Sequence, residues 1–348
     1  MDGMYSALSE HGFTVHRVPV RPATWPKTVT VRDKLIFFPR LLYWYILNKR
    51  SQFLIREIVR EYDIRLIHTN VSIVNVGFKV SRKERIPHIY HIREYGEKDF
   101  GIHYFPCKKR LIREMTDNDS YTICITKDIQ RYHGLSQSES SLVIYNGICK
   151  RSALILRDKE GYFLFAGRIE PAKGLYELVK AYAKYVKEIK IAPLKLLIAG
   201  GIVNPSYFYS VMRYINNNKL SRYIDYVGAV SDMKDLMSHA NAIIIPSICE
   251  GFGRCMAEAS SLGCLVIGNN TGGTKEQFDN GLRCAGREIG LRYNNLSELT
   301  YHLVSVTEKG DSAYASMIES AHKTVCGIYT EEINVNKVAE LYNRILSK

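Results

Sequence analysis

The 348-residue chain contains no run of about 18 uncharged apolar residues, so a membrane-spanning helix is not expected. The N-terminal segment MDGMYSALSE lacks the basic start and apolar centre of a signal peptide, and the resulting expectation is a cytosolic protein. The eight cysteines are scattered and form no Cys-x-x-Cys pair, which leaves zinc and disulfide frameworks without support. Cys124 and Cys264 lie inside apolar runs and read as small packed hydrophobes. A metal-binding carboxylate cluster is also missing. Asp117 and Asp119 flank Asn118 directly ahead of the β-rich run Tyr121–Ile125, where such residues are ordinary turn formers, so neither a metal nor any other cofactor is expected. Internal repeats, low-complexity tracts and nucleic-acid-binding motifs are absent too, and no nucleic-acid partner is expected.

What is present is enough apolar residue, 46%, for two ordinary cores, and a formal charge of +13 that is unevenly divided. Residues 1–150 hold 24 Lys and Arg against 15 Asp and Glu, and residues 151–348 hold 24 against 20. An excess of this kind favours an anionic membrane or a phosphorylated partner on the first half.

Short β-rich runs alternate with helical patterns along the whole chain. In the first half they are Thr14–Val18, Ile64–His68, Pro87–Ile92, Tyr121–Ile125 and Leu142–Ile144. In the second they are Tyr162–Ala166, Lys195–Ala199, Ile224–Val227, Ala242–Ile245 and Cys264–Ile267. Such alternation predicts an α/β protein with parallel sheets covered by helices. A charged stretch from Lys150 to Gly161 reads as the linker. The domains are therefore expected at 1–150 and 151–330, followed by a helical stripe through Val335, Val338, Leu341, Tyr342 and Ile345.

Two segments carry the chemistry. In FAGRIEPAKG (165–174), Arg168 and Lys173 sit around a turn between an apolar run and a helical pattern, where both cations can converge on one anion such as a diphosphate leaving group. In PSICEGFGRCMAE (246–258), a buried strand ends, a glycine-rich loop follows, and a helix begins near Arg254. A turn of this type aims backbone N–H groups and the positive end of the helix dipole at a phosphate. Glu250 and Glu258, eight positions apart, are at most roughly 12 Å apart along a helix. That is too far for a close acid–base pair, but suited to the two ends of one extended ligand.

Arg168, Lys173, Glu250, Glu258 and the following GGTKE (272–276) together resemble the donor-site signature of the retaining family 4 glycosyltransferases, over a similarity running from about Leu8 to the C-terminus. The resemblance implies two facing doubly wound, Rossmann-like domains in the GT-B architecture. The first would bind the acceptor and the second the donor, without metal, and the last helix would pack back on the first domain. It implies that Arg168 and Lys173 stabilise the leaving diphosphate, that Glu250 holds sugar hydroxyls and Glu258 the ribose, and that Phe252, Gly253 and Arg254 line the donor site. The function it implies is transfer of a hexose-type sugar from a nucleotide diphosphate sugar to a hydroxyl of an acceptor glycan, with retention.

His91, at the end of the run 89–92, is expected beyond the carboxyl end of a strand, where ligands of doubly wound sheets bind, and the resemblance implies a catalytic contact there. The alternative is a histidine satisfied within the core. Alternation puts His88 on the opposite face from His91. Arg93 and Glu94 read either as ligand-positioning groups or as a plain ion pair. The aromatic, cation-flanked segment 34–50 reads either as a membrane-interface element or as a partly buried helix. With the basic first half, it points to an acceptor carried on a lipid pyrophosphate, as in capsule or surface polysaccharide assembly, and to peripheral contact with the inner face of the membrane. The family begins with a strand and a glycine-rich turn, whereas Met4 to Gly12 reads as the end of the following helix. The expectation is that this first strand is missing, either because the true start lies upstream of Met1 or because the chain is a weakened form, and the competing functional reading is an inactive nucleotide-sugar-binding remnant.

Overall fold

The structure, a computed structural model, describes residues 2–26 and 28–347. The described chain forms two compact units that do not divide at a single point. The first runs to Ile123 and takes in Gln137–Leu142 and the chain from Ile345; the second comprises Cys124–Ser136 and Val143–Arg344.

The first unit is built around a four-stranded sheet with strands in the order β1 (Ile67–Thr69), β2 (His88–Ile92), β3 (Ser120–Cys124) and β4 (Ser141–Val143). β1 and β2 pair in parallel, with His68 opposite Ile89. Every residue of β2 is buried, as expected of a central strand covered on both faces. The helices Phe37–Glu61 and Val76–Glu84 accompany this sheet.

Thr14–Val18 is not a strand. Pro19 and Pro22, which have no N–H to give a ladder, follow it, and side chains of the long helix meet this part of the chain instead. The Asn48 amide accepts from Arg21 N at 3.0 Å and donates to Arg21 O at 3.2 Å, and Ser51 Oγ donates to the Pro19 carbonyl. That helix therefore buries polar side chains in its middle, Asn48, Ser51 and Gln52, and Val59 nearer its end.

The second unit carries six strands, β5 (Tyr162–Ala166), β6 (Lys195–Ala199), β7 (Ile224–Gly228), β8 (Ala242–Ile245), β9 (Leu265–Asn269) and β10 (Leu291–Tyr293). All neighbours are parallel, in the order β10-β9-β8-β5-β6-β7. Alternation along the strands loads two cores. Phe163, Phe165, Ile198 and Ile244 face the helices Leu175–Glu188 and Leu296–Lys309. Leu164, Ile243, Ile245 and Val266 face the helices Arg254–Ser261 and Gly272–Ala285. The helix Leu175–Glu188 forms because Leu175, Leu178, Val179, Tyr182 and Tyr185 recur at helical spacing and are all buried. Each such side chain contributes about 1.5–3 kcal/mol on burial.

The short β10 was not anticipated; three residues carry too little pattern to announce a strand. The last helix spans Glu331–Leu346.

Candidate functional site

The sheet order of the second unit reverses direction between β5 and β8, and the crevice at the carboxyl ends of strands at such a point is where doubly wound sheets bind ligands. The sequence places its candidate residues on these two exits. After β5 come Gly167 and Arg168, then a 3₁₀ turn, Pro171–Lys173, that ends at Gly174 with φ +69°. A Cβ at Gly174 would stand 2.1 Å from the Pro246 carbonyl oxygen, so only glycine lets this turn press against the exit of β8. Ile248 N donates to Ala172 O at 3.0 Å and completes the contact.

That approach aims Lys173 at Glu250. The ammonium lies 2.5 Å from Glu250 Oε1, and Ser247 Oγ donates to the same oxygen at 2.8 Å. Both charged side chains are mostly enclosed, at 20% and 17% exposure, so their attraction is less screened than that of a surface pair. Arg168, more open, pairs with Glu170 at 2.8 Å, and Arg254 pairs with Glu258 one helical turn on at 3.0 Å. Cys255 lies close enough to both acidic residues to sense them. Burial first, then the Glu258 and Glu250 carboxylates, push its thiol up to about 12, so it stays protonated and donates to Ala166 O at 3.4 Å.

The loop from Glu250 to Gly253 is held from behind by the helix Gly272–Ala285. Gly273 N donates to Glu250 O at 2.7 Å, and the Gln277 amide donates to Phe252 O at 2.5 Å and Gly253 O at 2.9 Å. A Cβ at Gly273 would lie 2.6 Å from the Phe252 backbone, so the second glycine of GGTKE is there for close approach. Gly253, at φ +82°, opens the helix Arg254–Ser261 and brings no side-chain cap to its first-turn N–H groups, which suits an anionic ligand. Phe252 itself is buried, edge-on to Tyr329 at 5.3 Å.

Sequence reasoning missed what Glu276 does. Its carboxylate is buried and accepts from Lys127 N and Asp128 N, both at 2.8 Å, and from Tyr145 Oη at 2.8 Å. It thus caps the helix Lys127–Tyr132 across sequence separations of 131 to 149 residues, which no local pattern could announce.

In the first unit, His91 is buried in β2, and its Nδ1 lies 3.2 Å from His68 Nε2. On the opposite face, His88 Nε2 meets Thr69 Oγ1 at 2.8 Å, as alternation requires. His91 Nε2 is buried with no hydrogen-bond partner. Burial, then the Arg93 charge and His68, push His91 down to about 3, so the ring is neutral at physiological pH. Glu94 accepts from Ser72 N and Oγ at 2.7 and 2.5 Å, and burial raises its pKa. Arg93 donates to Asn70 Oδ1 at 2.6 Å. Asp117 lies 3.0 Å from Arg82, and Asp119, in the left-handed region at φ 58°, lies 3.8 Å from the same guanidinium. Among the described residues, no group of three or more His, Cys, Asp or Glu is arranged to hold a metal ion, and no helix is long and apolar enough to cross a membrane.

Residues 150–287 match the family described as Glycosyl transferases group 1. An uncharacterized glycosyltransferase of Methanocaldococcus jannaschii is 26% identical over 225 residues, 64% of this chain and 60% of the relative. The UDP-Gal:alpha-D-GlcNAc-diphosphoundecaprenol alpha-1,3-galactosyltransferase of Escherichia coli is 23% identical over 250 residues, 68% of this chain and 60% of the relative. The chain thus spans about 60% of the length of both curated relatives. A crystal structure of Anabaena HepE in complex with UDP superposes with a TM-score of 0.74 at 17% identity, covering 98% of this chain and 89% of that one. Residues 150–287 are therefore similar to a group 1 glycosyltransferase domain, and the fold of the chain is the α/β GT-B fold.

Proposed function

We propose that this protein is a retaining, metal-independent glycosyltransferase that moves a hexose-type sugar from a nucleoside diphosphate sugar to a hydroxyl of an acceptor glycan. The observation that carries the reading is the Lys173–Glu250–Ser247 cluster at the β5/β8 switch point, beside the open N-terminus of the helix Arg254–Ser261. Lys173, with Arg168 and the first-turn N–H groups, stabilises charge growing on the departing diphosphate. Glu250 holds sugar hydroxyls and Glu258 the ribose. The bond from the anomeric carbon to the phosphate oxygen breaks, the acceptor oxygen bonds to the same face, and the acceptor's proton passes to the leaving phosphate. His91, being neutral, would take part as a hydrogen-bonding group and not as a cation.

The basic first half supports an acceptor held at an anionic membrane surface during surface polysaccharide assembly. The name of the Escherichia coli relative, which specifies a diphosphoundecaprenol substrate, supports a lipid-linked acceptor.

The test is nucleoside diphosphate release across a panel of donors, with the product's anomeric configuration read by NMR. Binding of a nucleoside diphosphate without release from any donor would favour the remnant reading; an inverted product would sink the retaining one. Because side-chain cations serve the diphosphate, turnover is expected to survive exhaustive chelation, and activity restored only by manganese would reverse that part.

A further inference from the structure

The helix Phe37–Glu61 differs from an ordinary surface helix in leaving an apolar stripe exposed while it buries several polar side chains. Its buried residues include Asn48, Ser51 and Gln52, while Phe38, Leu42 and Phe53 stand 76%, 60% and 60% exposed. Tyr45 and Ile46 continue the same outward stripe, and Leu35 precedes it from the short helix Val31–Leu35. Exposed apolar residues are common singly, but a continuous stripe over several turns marks a surface with a partner.

This stripe is also concave. Phe38, Leu42, Trp44, Tyr45 and Phe105 line a groove of about 840 Å³ whose walls are almost wholly apolar. Trp44 and Phe105 are braced with ring centroids 4.8 Å apart, and Trp44 Nε1 is fixed by donation to the Pro22 carbonyl at 2.6 Å.

Two lysines stand against rings that line the groove, and an arginine stands over the neighbouring Tyr43. Lys49 Nζ lies 5.4 Å from the centre of the Tyr45 ring, Lys79 Nζ lies 5.6 Å from that of Trp44, and Arg21 lies over Tyr43 at 5.6 Å. Burial lowers the pKa of Lys79; Arg110, Lys49 and Lys83 lower it further, while the Glu114 carboxylate opposes them. Around Lys79, the three cations Lys49, Lys83 and Arg110 outnumber the Glu114 carboxylate, which leaves a net positive field on the side of the groove where Lys79 meets Trp44.

We propose that this groove receives the hydrocarbon chain of a single-chain lipid phosphate, with the phosphate held by Lys49 and Lys79. One groove takes one chain, and the rim of cations complements the head. The role of such a lipid as the acceptor's carrier rests on the proposed transferase reading; its binding does not.

The experiment uses the full chain with Trp25→Phe, which leaves Trp44 as the sole tryptophan, excited selectively at the red edge where tyrosine does not absorb. Phosphatidylcholine vesicles are compared with the same vesicles doped with a polyprenyl phosphate, and with vesicles matched in charge by phosphatidylglycerol. The expected result is sedimentation with the polyprenyl phosphate vesicles at least about tenfold tighter than with the charge-matched ones, with a blue shift of Trp44 emission. Phe38→Ser and Leu42→Ser, both at exposed positions, should abolish the shift while the circular dichroism spectrum stays unchanged. Lys79→Gln should weaken binding, as should added salt. Equal binding to both anionic vesicles, binding without a Trp44 shift, or no binding at all would each overturn the groove assignment. Donor binding is titrated separately with UDP in the absence of lipid, so loss of the lipid site and loss of the transferase reading give different results.

Discussion

Lys173 and Glu250 are the two side chains whose removal should be felt most. Either change to alanine is expected to lower turnover by about a hundredfold or more, with the fold intact by circular dichroism, because each leaves a partly enclosed charge without its partner at the proposed reacting centre. The double variant should lose much less than the product of the two single effects, since both act on one pair. Simple multiplication of the losses would show that they work independently. Gly174→Ala is expected to cost more than about 1 kcal/mol in urea unfolding, because alanine at φ +69° is strained and its Cβ meets Pro246 O. Unchanged stability and turnover would mean that the turn can retreat from β8 without consequence. At this scale the sequence was legible wherever the chemistry is local: the short stretches around Arg168, Lys173 and Glu250 carry their own spacing. It was silent on Glu276, whose partners are brought together only by the fold.

Among the elements, β2 and its neighbour β1 carry a testable burden of buried histidine. His88 and His91 are pushed down to about 3 and His68 to about 4, mainly by burial, against an ordinary value of 6.5. Below pH 6.5 the unfolded chain binds these protons and the folded chain does not, so stability is full above that pH and falls as the pH drops towards 4. Each proton costs about 1.4 kcal/mol per pH unit. Glu94, with a raised pKa, acts in the opposite sense just above the ordinary carboxylate range, but it is one group against three. Thermal unfolding should therefore move to lower temperature between pH 7 and pH 5, and His88→Gln should flatten the slope; a wild-type midpoint that does not move would refute the account. The parallel strands of the second unit could be read in advance because each is an apolar run bounded by turn residues, and Tyr162–Ala166, Lys195–Ala199 and Ala242–Ile245 coincide with the observed β5, β6 and β8. Thr14–Val18 offers only two valines and a threonine around His16 and Arg17, and prolines beyond it and side chains of the long helix give that part of the chain non-strand partners. Periodicity alone does not report such competition.

For the whole molecule, alternation of strand and helix was sufficient to anticipate the α/β class, but not the path by which the chain divides. Cys124–Ser136 belongs to the second unit, although the strands before and after it, β3 and β4, share the first sheet. The Glu276 carboxylate is one reason. Glu276→Ala would leave two N–H groups and the Tyr145 hydroxyl without their acceptor, and is expected to lower stability by about 2 kcal/mol or more. Hydrogen exchange should rise first in Lys127–Tyr132; protection unchanged there would show that the helix is held by other contacts.

This cap also bears on how such a protein can be recombined. A chimera joined in the linker near Lys150 would take residues 124–145 from one parent and Glu276 from another, so that a buried anion of one lineage would face backbone donors set by a different loop. Exchanges of the first half should therefore yield soluble hybrids only when the donor sequence presents Thr126 to Asp128 and Tyr145 in the same register, or when that segment travels with the second half. The useful seam for exchanging the first half thus does not coincide with the charged stretch after Lys150.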